Sequence, residues 1–193
     1  MQNIILASSS PRRRMLLEQL GIKFKVVPAD IDEHKYYHDC DDCVDLVENL
    51  ARAKAVDVAQ KLDYTCVVIG ADTLVVKDCI LSKPRNADEA ADMLTRLSGA
   101  WHEVFTGFCV ASAPSMNILT GHECTRVKFR DISEQEIRAY IATGEPMDKA
   151  ASYAAQGIGS VFIERIEGCY FNVIGLPIYK VAAALKCFGV SVL

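Results

Sequence analysis

Two short, uninterrupted apolar runs constrain the fold of this chain more than any other feature. The first begins at Ile4 within a predicted strand over residues 3–7, and the second spans residues 66–71; polar residues follow each of them. An apolar run of this length without alternation is typical of a strand that is buried on both faces of an α/β sheet. Between the two runs, residues 44–62 carry apolar side chains at helical spacing. The sequence therefore predicts an α/β protein.

The other segments predict paired strands and helices around these runs. Local helix and turn signals define most of the boundaries. Further helices are expected at residues 11–20, with Met15, Leu16, Leu17 and Leu20 facing inward, at 87–97, from 133 onward and at 177–188. Further strands are expected at residues 23–27, 74–76, 80–81, 103–111, 118–129 and 161–166. Since the hairpins are antiparallel, the predicted sheet is mixed and has flanking helices.

Composition and charge exclude several classes of protein. The 193 residues fit one domain, or two lobes around one sheet, and 51% of them are hydrophobic. A formal net charge of -4 argues against a general nucleic-acid or anionic-membrane binder. No apolar run approaches the roughly 20 residues that span a bilayer, and no secretory signal is visible. We therefore expect a cytoplasmic protein that binds neither nucleic acid nor membranes.

Eight cysteines raise the question of disulfides or metal. Most of them lie scattered in apolar segments, where cysteine acts as a small hydrophobic residue, so reduced thiols are expected. His34, His38, Cys40 and Cys43 form the one group with the residue types of a zinc site. Since this acidic segment has no finger framework, a variable surface loop is the alternative interpretation.

The stretch ASSSPRRRML follows the first apolar run. Ser10 before Pro11 is a helix-start signal, because serine caps free N–H groups and proline suits the first helical position. Arg12, Arg13 and Arg14 then fall in the first turn, where cations oppose the helix dipole. One interpretation is that this turn holds an anion such as phosphate. The other is that the arginines form a solvated helix face.

Three further positions are candidates for chemistry, although no P-loop or dinucleotide-binding motif occurs. Asp72, in GADT, is expected at the carboxyl end of the second buried strand, where it either serves a metal or a water or begins a turn. Lys83 precedes Pro84 in an extended conformation. Lys54 lies in the middle of the long predicted helix, and its alternative is a surface lysine. The irregular segment 143–160 is long enough to be functional.

These segments, taken in order, resemble the Maf family of nucleoside-triphosphate pyrophosphatases over nearly the whole chain. The motifs that carry the resemblance are SSSPRR from Ser8, IDE from Ile31, KA from Lys54, GADT from Gly70, KP from Lys83, SG from Ser98, His102, TG from Thr106, GEP from Gly144, DK from Asp148, QG from Gln156, NV from Asn172 and GLP from Gly175. The resemblance implies an inosine-triphosphatase-type fold over residues 1–193, with an elongated mixed sheet and two lobes around a cleft. It also implies hydrolysis of a nucleoside triphosphate between its α and β phosphates, with Mg²⁺ or Mn²⁺.

The resemblance also implies roles for single residues. Arg13, Lys54 and Lys83 would clamp the phosphates, Ser8 would donate to them, and Arg12 would share that contact with specificity. Glu33 and Asp72 would hold the metal, and Asp72 would activate the attacking water. Ala151 and Ser82 depart from the family, which commonly has glycine at both positions. If Ala151 adopts a positive φ, its loop is strained.

Within the family, Arg12, Thr73 and Gln156 resemble the branch that acts on dTTP and UTP. A glutamine amide can pair with the donor and acceptor edge of uracil or thymine. The 7-methyl-GTP branch, which has tryptophan and glutamate at two of these places, is one alternative. A nucleotide-binding regulator of septum formation without turnover is another, and a zinc-binding adaptor is a third. Dimers occur in the family, so a homodimer is an open expectation.

Overall fold

The computed structural model describes residues 3–39 and 42–193. Its strands are β1 (Asn3–Leu6), β2 (Lys25–Val26), β3 (Cys66–Lys77), β4 (Cys79–Leu81), β5 (Trp101–Ala113), β6 (Ile118–Phe129) and β7 (Ile163–Glu167). Its helices are α1 (Pro11–Gln19), α2 (His34–Asp39), α3 (Cys43–Gln60), α4 (Ala87–Leu97), α5 (Glu134–Ala142), α6 (Tyr170–Ile174) and α7 (Ile178–Cys187). Short 3₁₀ turns occupy Glu145–Asp148, Ala150–Ser152 and Ile158–Phe162.

The strands form one mixed sheet with the order β2-β1-β3-β5-β6-β7, and β4 pairs with β3. β1 is parallel to both β2 and β3, with Ile5 opposite Lys25 and Leu6 opposite Ile69. β3 and β4 are antiparallel and turn through Asp78 alone, whose φ is +61°. β6 and β7 are also antiparallel. The predicted α/β class with a mixed sheet and flanking helices is therefore confirmed.

β3 corrects one prediction that matters for the site. The sequence places the end of this strand at residue 71, but the strand continues without interruption to Lys77. Asp72 therefore lies inside β3 and not at its carboxyl end. Its parallel neighbour β1 does end earlier, because Leu6 pairs with Ile69 and no later residue of β1 follows. Asp72 consequently stands beyond the end of β1, on a strand that pairing with β4 extends.

Other local predictions have mixed outcomes. The helix at 87–97 has the predicted bounds, and the predicted capping box of Ser133 and Glu136 begins α5. Met15 was expected to face inward but is 39% exposed, so only Leu16 and Leu17 anchor α1 fully. Two short helices, α2 and α6, were not predicted. Within the described residues, no helix has the length and apolar character that would let it span a bilayer.

The chain divides into two compact units, each with its own core. The first unit contains residues 1–72, 106–123 and 175–193, and its core includes Ile5, Val58 and Val68. Cys66 and Cys109 belong to this core as buried free thiols, and burial raises the pKa of Cys109 to about 12. The second unit contains residues 73–105 and 124–174, and its core surrounds Phe129.

Two glycines of the first unit let helix α3 lie directly on the sheet. A Cβ built on Gly70 would stand 2.3 Å from the carbonyl oxygen of Ala51, and one on Gly107 would stand 2.1 Å from that of Val47. Any side chain at these positions would therefore collide with the backbone of α3. This close approach fixes α3 against the strand that carries Asp72.

A buried histidine sits in the aromatic core of the second unit. His102 is 2% exposed, its Nε2 lies 2.8 Å from the hydroxyl of Tyr153, and its ring stands edge-on to Phe129 at 5.0 Å. Among the described residues, its Nδ1 has no hydrogen-bond partner. Burial, together with the positive charge of Lys77, lowers the pKa of His102 to about 4. His102 is therefore neutral at physiological pH.

This histidine makes the free energy of unfolding depend on pH. Its pKa in the folded chain is about 4, below the unfolded value of about 6.5, so only the unfolded chain takes up the proton between these values. The free energy of unfolding should therefore fall by about 3 kcal/mol as the pH drops from 6.5 to 4. His102→Phe should be less stable at pH 7 and should lose most of this slope. Urea unfolding at pH 7 and pH 4.5 measures both.

Other groups also titrate in this range, so the comparison needs a control. His122→Gln changes a half-buried histidine that pairs with Glu48 in the first unit, and it shows how much of the slope another histidine contributes. A wild-type slope in His102→Phe would show that another group is responsible.

Candidate active site

The turn between β1 and α1 has the geometry of a helix start that carries a buried arginine. The hydroxyl of Ser10 accepts a hydrogen bond from the N–H of Arg13 at 3.5 Å and so caps the helix, as predicted. The Arg13 side chain folds back and is only 9% exposed. Its Nε donates to the carbonyl of Gly175 at 2.8 Å, and its Nη1 donates to Ser8 Oγ at 3.2 Å. Two acceptors, the Gly175 carbonyl and Ser8 Oγ, therefore hold the guanidinium in one orientation.

Ser8 is part of the same arrangement. Its Oγ accepts from the backbone N–H of Ser10 at 3.2 Å as well as from Arg13. A hydroxyl has two acceptor positions and one donor, so these bonds leave its proton as the group that Ser8 offers. Arg12, in the same turn, is half-buried. The serine and the two arginines thus present donors and positive charge, as an anion site requires.

Lys54 joins two carboxylates. Its Nζ lies 2.5 Å from Asp72 Oδ1 and 2.7 Å from Glu33 Oε1. The side chains of Lys54 and Asp72 are each 11% exposed, whereas that of Glu33 is 47% exposed. Lys54 is therefore not a surface lysine, which was the alternative left open by the sequence. The contact brings together residues from three separate segments of the chain.

Opposite charges balance around Asp72. Burial lowers the pKa of Arg13, and the nearby Asp72 carboxylate opposes that effect. Because an arginine stays protonated even after such a shift, Arg13 remains a cation near the Asp72 carboxylate. The first unit therefore brings together five of the predicted site residues, which are Ser8, Arg13, Glu33, Lys54 and Asp72.

Tyr37 is a neighbour of this cluster that sequence reasoning missed. Burial, followed by the negative charges of Asp72 and Glu33, raises the pKa of Tyr37 to about 12. The sequence interpretation treated this segment as a variable loop, but it forms helix α2, which places the phenol near both carboxylates. No motif in the segment singles out a tyrosine, so only the tertiary structure reveals it.

Three predicted residues belong to the second unit. Thr73 directly follows Asp72 on β3 and is half-buried, while Lys83 and Gln156 are exposed. Gln156 lies in the predicted functional segment, where Ala151 and Ser152 have φ values of +55° and +59°. Ala151 therefore has the positive φ for which the sequence analysis expected strain, because a left-handed backbone disfavours residues other than glycine. The amide of Ala151 donates to the carbonyl of Ser82 at 3.1 Å and holds this turn.

Glu33 and Asp72 are the described residues that the sequence predicted as ligands of a divalent cation. Glu33 and Asp72 each place a carboxylate oxygen on the same ammonium, and such oxygens are the ligands of Mg²⁺ and Mn²⁺. Over residues 3–39 and 42–193, no group of three or more His, Cys, Asp or Glu side chains is arranged to hold a metal. Cys40 and the side chain of His38 lie outside the described part, so the zinc hypothesis at residues 34–43 stays a prediction.

A cavity of about 620 Å³ in the first unit contains none of the predicted site residues. It begins beside Asn3, at the amino end of β1, whereas Ser8 follows the carboxyl end of that strand. Its charged side chains are Lys23 and Lys25, and no carboxylate lines it. Its lining does not provide the acid and base groups of a hydrolytic site.

Comparison with known proteins assigns this chain to a family. A family model described as Maf-like protein matches residues 3–188. A dTTP/UTP pyrophosphatase of Acetivibrio thermocellus is 47% identical, and the match covers 100% of this chain and 98% of the relative. A dTTP/UTP pyrophosphatase of Pelotomaculum thermopropionicum is 49% identical, with 100% of each chain covered. The chain therefore belongs to the Maf family, as its motifs indicated.

A solved structure gives a more distant similarity. It is a nucleoside-triphosphatase / dITP/XTP pyrophosphatase from Mycobacterium abscessus, 15% identical, with a TM-score of 0.45. The match covers 97% of this chain and 96% of that chain.

Proposed function

We propose that this protein is a nucleoside-triphosphate pyrophosphatase that hydrolyses dTTP and UTP to the monophosphate and pyrophosphate. The observation that carries the proposal is full-length identity of 47% and 49% to dTTP/UTP pyrophosphatases. The cluster of Arg13, Lys54, Glu33 and Asp72 supports it, because a triphosphate needs both cations and carboxylate ligands for its metal. Gln156 supports the assignment to pyrimidines.

In the proposed reaction, water attacks the α phosphorus directly. A bond forms between the water oxygen and the phosphorus, the bond from that phosphorus to the α–β bridging oxygen breaks, and pyrophosphate leaves. Asp72 accepts the proton of the attacking water, and the Lys54 ammonium, 2.5 Å from Oδ1, orients the carboxylate. No serine or cysteine nucleophile takes part.

The cations orient and neutralise the phosphates. Arg13, held by Ser8 and the Gly175 carbonyl, contacts them with a fixed guanidinium, which limits the conformational entropy lost on binding. Lys54 and Lys83 supply further charge, while Arg12 shares phosphate contact with specificity. Mg²⁺ or Mn²⁺ bound by Glu33 and Asp72 would neutralise substrate charge and lower the pKa of a bound water.

Base preference is the test of this proposal. The Gln156 amide has one acceptor and two donors, and it can pair with the N3–H and a carbonyl of uracil or thymine. Cytosine has an acceptor in place of the N3–H, so an amide held in the orientation that suits uracil should give a kcat/KM for dTTP and UTP that exceeds that for dCTP and CTP by about 10- to 100-fold. A panel of nucleotides, read out as pyrophosphate release, measures the ratio.

Variants make the panel specific to Gln156. Gln156→Glu should lower kcat/KM for UTP, because an ionised acceptor then faces the base carbonyl. Gln135→Glu, which changes an exposed glutamine of α5, should leave the ranking unchanged. Preference for 7-methyl-GTP would assign the protein to the other branch. Binding without pyrophosphate release would favour a nucleotide-binding regulator.

A further inference from the structure

We propose that Glu145 is a positioning residue that holds Gln156 in place for base recognition. In this way it sets the preference for uracil and thymine over cytosine without contacting the base. This inference rests on the proposed function, in which Gln156 reads the base. It concerns how the second unit presents that side chain. The contacts that hold it all lie within the second unit.

The carboxylate of Glu145 binds the backbone immediately after Gln156. Its Oε2 accepts from the N–H of Ile158 at 3.0 Å, and its Oε1 accepts from the N–H of Gly159 at 3.0 Å. Gly157 lies between Gln156 and Ile158 with a φ of +137°, and a Cβ there would stand 2.5 Å from Oε2. The carboxylate is thus seated against the chain at Gly157, which explains why this position needs glycine.

The backbone before Gln156 is tied to the same carboxylate through Tyr140. The Tyr140 hydroxyl donates to Glu145 Oε1 at 2.8 Å and accepts from the N–H of Ala154 at 3.2 Å. Tyr140 is 2% exposed, and its ring packs edge-on against Phe162 at 5.1 Å. Since Tyr140 belongs to α5, the pair of Tyr140 and Glu145 connects the segment to a rigid element.

Gln156 therefore lies between two anchored points. Ala154 is held two residues before it, and Ile158 and Gly159 are held two and three residues after it. The side chain of Gln156 itself is exposed. An exposed glutamine on a free loop would adopt many orientations, and binding a base would then require ordering the loop. Anchoring on both sides removes the backbone part of that requirement.

The charge of Glu145 suits three donors at once. Burial raises the pKa of Glu145, but the hydrogen bonds from Gly159, Ile158 and Tyr140 outweigh it, so the pKa lies below its usual value. An ionised carboxylate only accepts hydrogen bonds, whereas a glutamine amide would turn a donor toward at least one of these donors. Glu145→Gln thus keeps the size of the side chain and removes its ability to hold the loop.

The test compares Glu145→Gln with wild type by base preference and by amide hydrogen exchange. We expect the UTP/CTP ratio of kcat/KM to fall by about tenfold, while kcat for UTP changes only a few-fold. Exchange of the Ile158 and Gly159 amides should accelerate by about tenfold or more. Glu134→Gln, which changes an exposed glutamate of α5 that pairs with Arg138, should alter neither quantity.

A second variant covers the case in which Glu145→Gln does not fold. Tyr140→Phe keeps the ring in the core and removes only the hydroxyl that joins Ala154 to Glu145. It should lower the UTP/CTP ratio in the same direction by a smaller factor. Its melting temperature, measured in parallel, reports any general loss of stability.

The outcomes separate this inference from the proposed function. If the wild type prefers UTP and Glu145→Gln retains the full preference, the inference is wrong, whatever the amides do. If exchange is unchanged, Glu145 does not hold the segment, and the inference also fails. If the wild type shows no preference for UTP over CTP, both the proposed recognition of uracil and thymine by Gln156 and the role of Glu145 are contradicted.

Discussion

Asp72→Asn should lower kcat for pyrophosphate release by about 10²- to 10⁴-fold, the usual loss when a general base is removed. Asparagine keeps the shape of the side chain, and its carbonyl can still accept from Lys54. It cannot take a proton from water, and it removes a negative charge from the proposed metal ligands. Steady-state kinetics on UTP measure the effect.

The structure supplies a matched control for this variant. Asp57, on the same helix as Lys54, accepts from Lys61 at 2.8 Å and from the N–H of Asp30 at 2.9 Å. It is therefore another aspartate that is paired with a lysine, and these hydrogen bonds do not involve Asp72. Asp57→Asn should keep wild-type kcat. The melting temperature of Asp72→Asn should stay within a few degrees of wild type, since Lys54 retains its contact with Glu33. A near wild-type rate in Asp72→Asn would remove this residue from the catalytic role.

Removal of divalent metal should abolish turnover, and Mg²⁺ or Mn²⁺ should restore it. The physical reason is the donor set, because Glu33 and Asp72 offer hard carboxylate oxygens rather than imidazole or thiolate. Pyrophosphate release after exhaustive chelation, followed by titration with each ion, measures the requirement. Cys40→Ser/Cys43→Ser should keep full activity. Activity that survives chelation, or that depends on these cysteines, would contradict the proposal.

Lys54 gives this metal test a readout besides activity. Its ammonium contacts both carboxylates, so in the free protein it competes with a divalent cation for the same oxygens. Lys54→Met should therefore bind Mn²⁺ about tenfold or more tightly without nucleotide, even though it loses a phosphate contact and turns over slowly. Titration calorimetry with Mn²⁺ on both proteins measures the change. Weaker Mn²⁺ binding in Lys54→Met would show that the two carboxylates are not the metal ligands.

Local signals in the sequence predicted many of the elements. The bounds of α4 and the capping box at Ser133 and Glu136 are right because these signals satisfy backbone groups within a few residues of each other. The cap at Ser10 is right for the same reason. The extent of β3 was predicted wrongly, because pairing with β4 carries that strand past the apolar run. Strand length depends on neighbours that a local pattern does not contain.

The candidate site was only partly predictable. Family motifs nominated Lys54, Asp72 and Glu33 one by one, and a lysine in a helix was equally consistent with a surface position. Lys54 reaches the carboxylates of Glu33 and Asp72 because α3 lies directly on the sheet. Gly70 and Gly107 allow that close approach. Tyr37 was missed because its segment carries no helix signal that stands out. Such contacts join residues far apart in the chain, so the periodicity and spacing of the sequence do not predict them.

The sequence by itself determined the α/β class, the membership in the Maf family and the helix starts, because apolar runs, motif order and caps are written in consecutive residues. The tertiary structure alone decided which charges meet. It placed Lys54 between Glu33 and Asp72, turned Arg13 back onto the Gly175 carbonyl, and set Glu145 against the amides of Ile158 and Gly159. Each of these contacts joins residues that are well separated along the chain. A buried charge is stable only where folding brings donors or opposite charges to it, and that condition is met by packing rather than by local sequence.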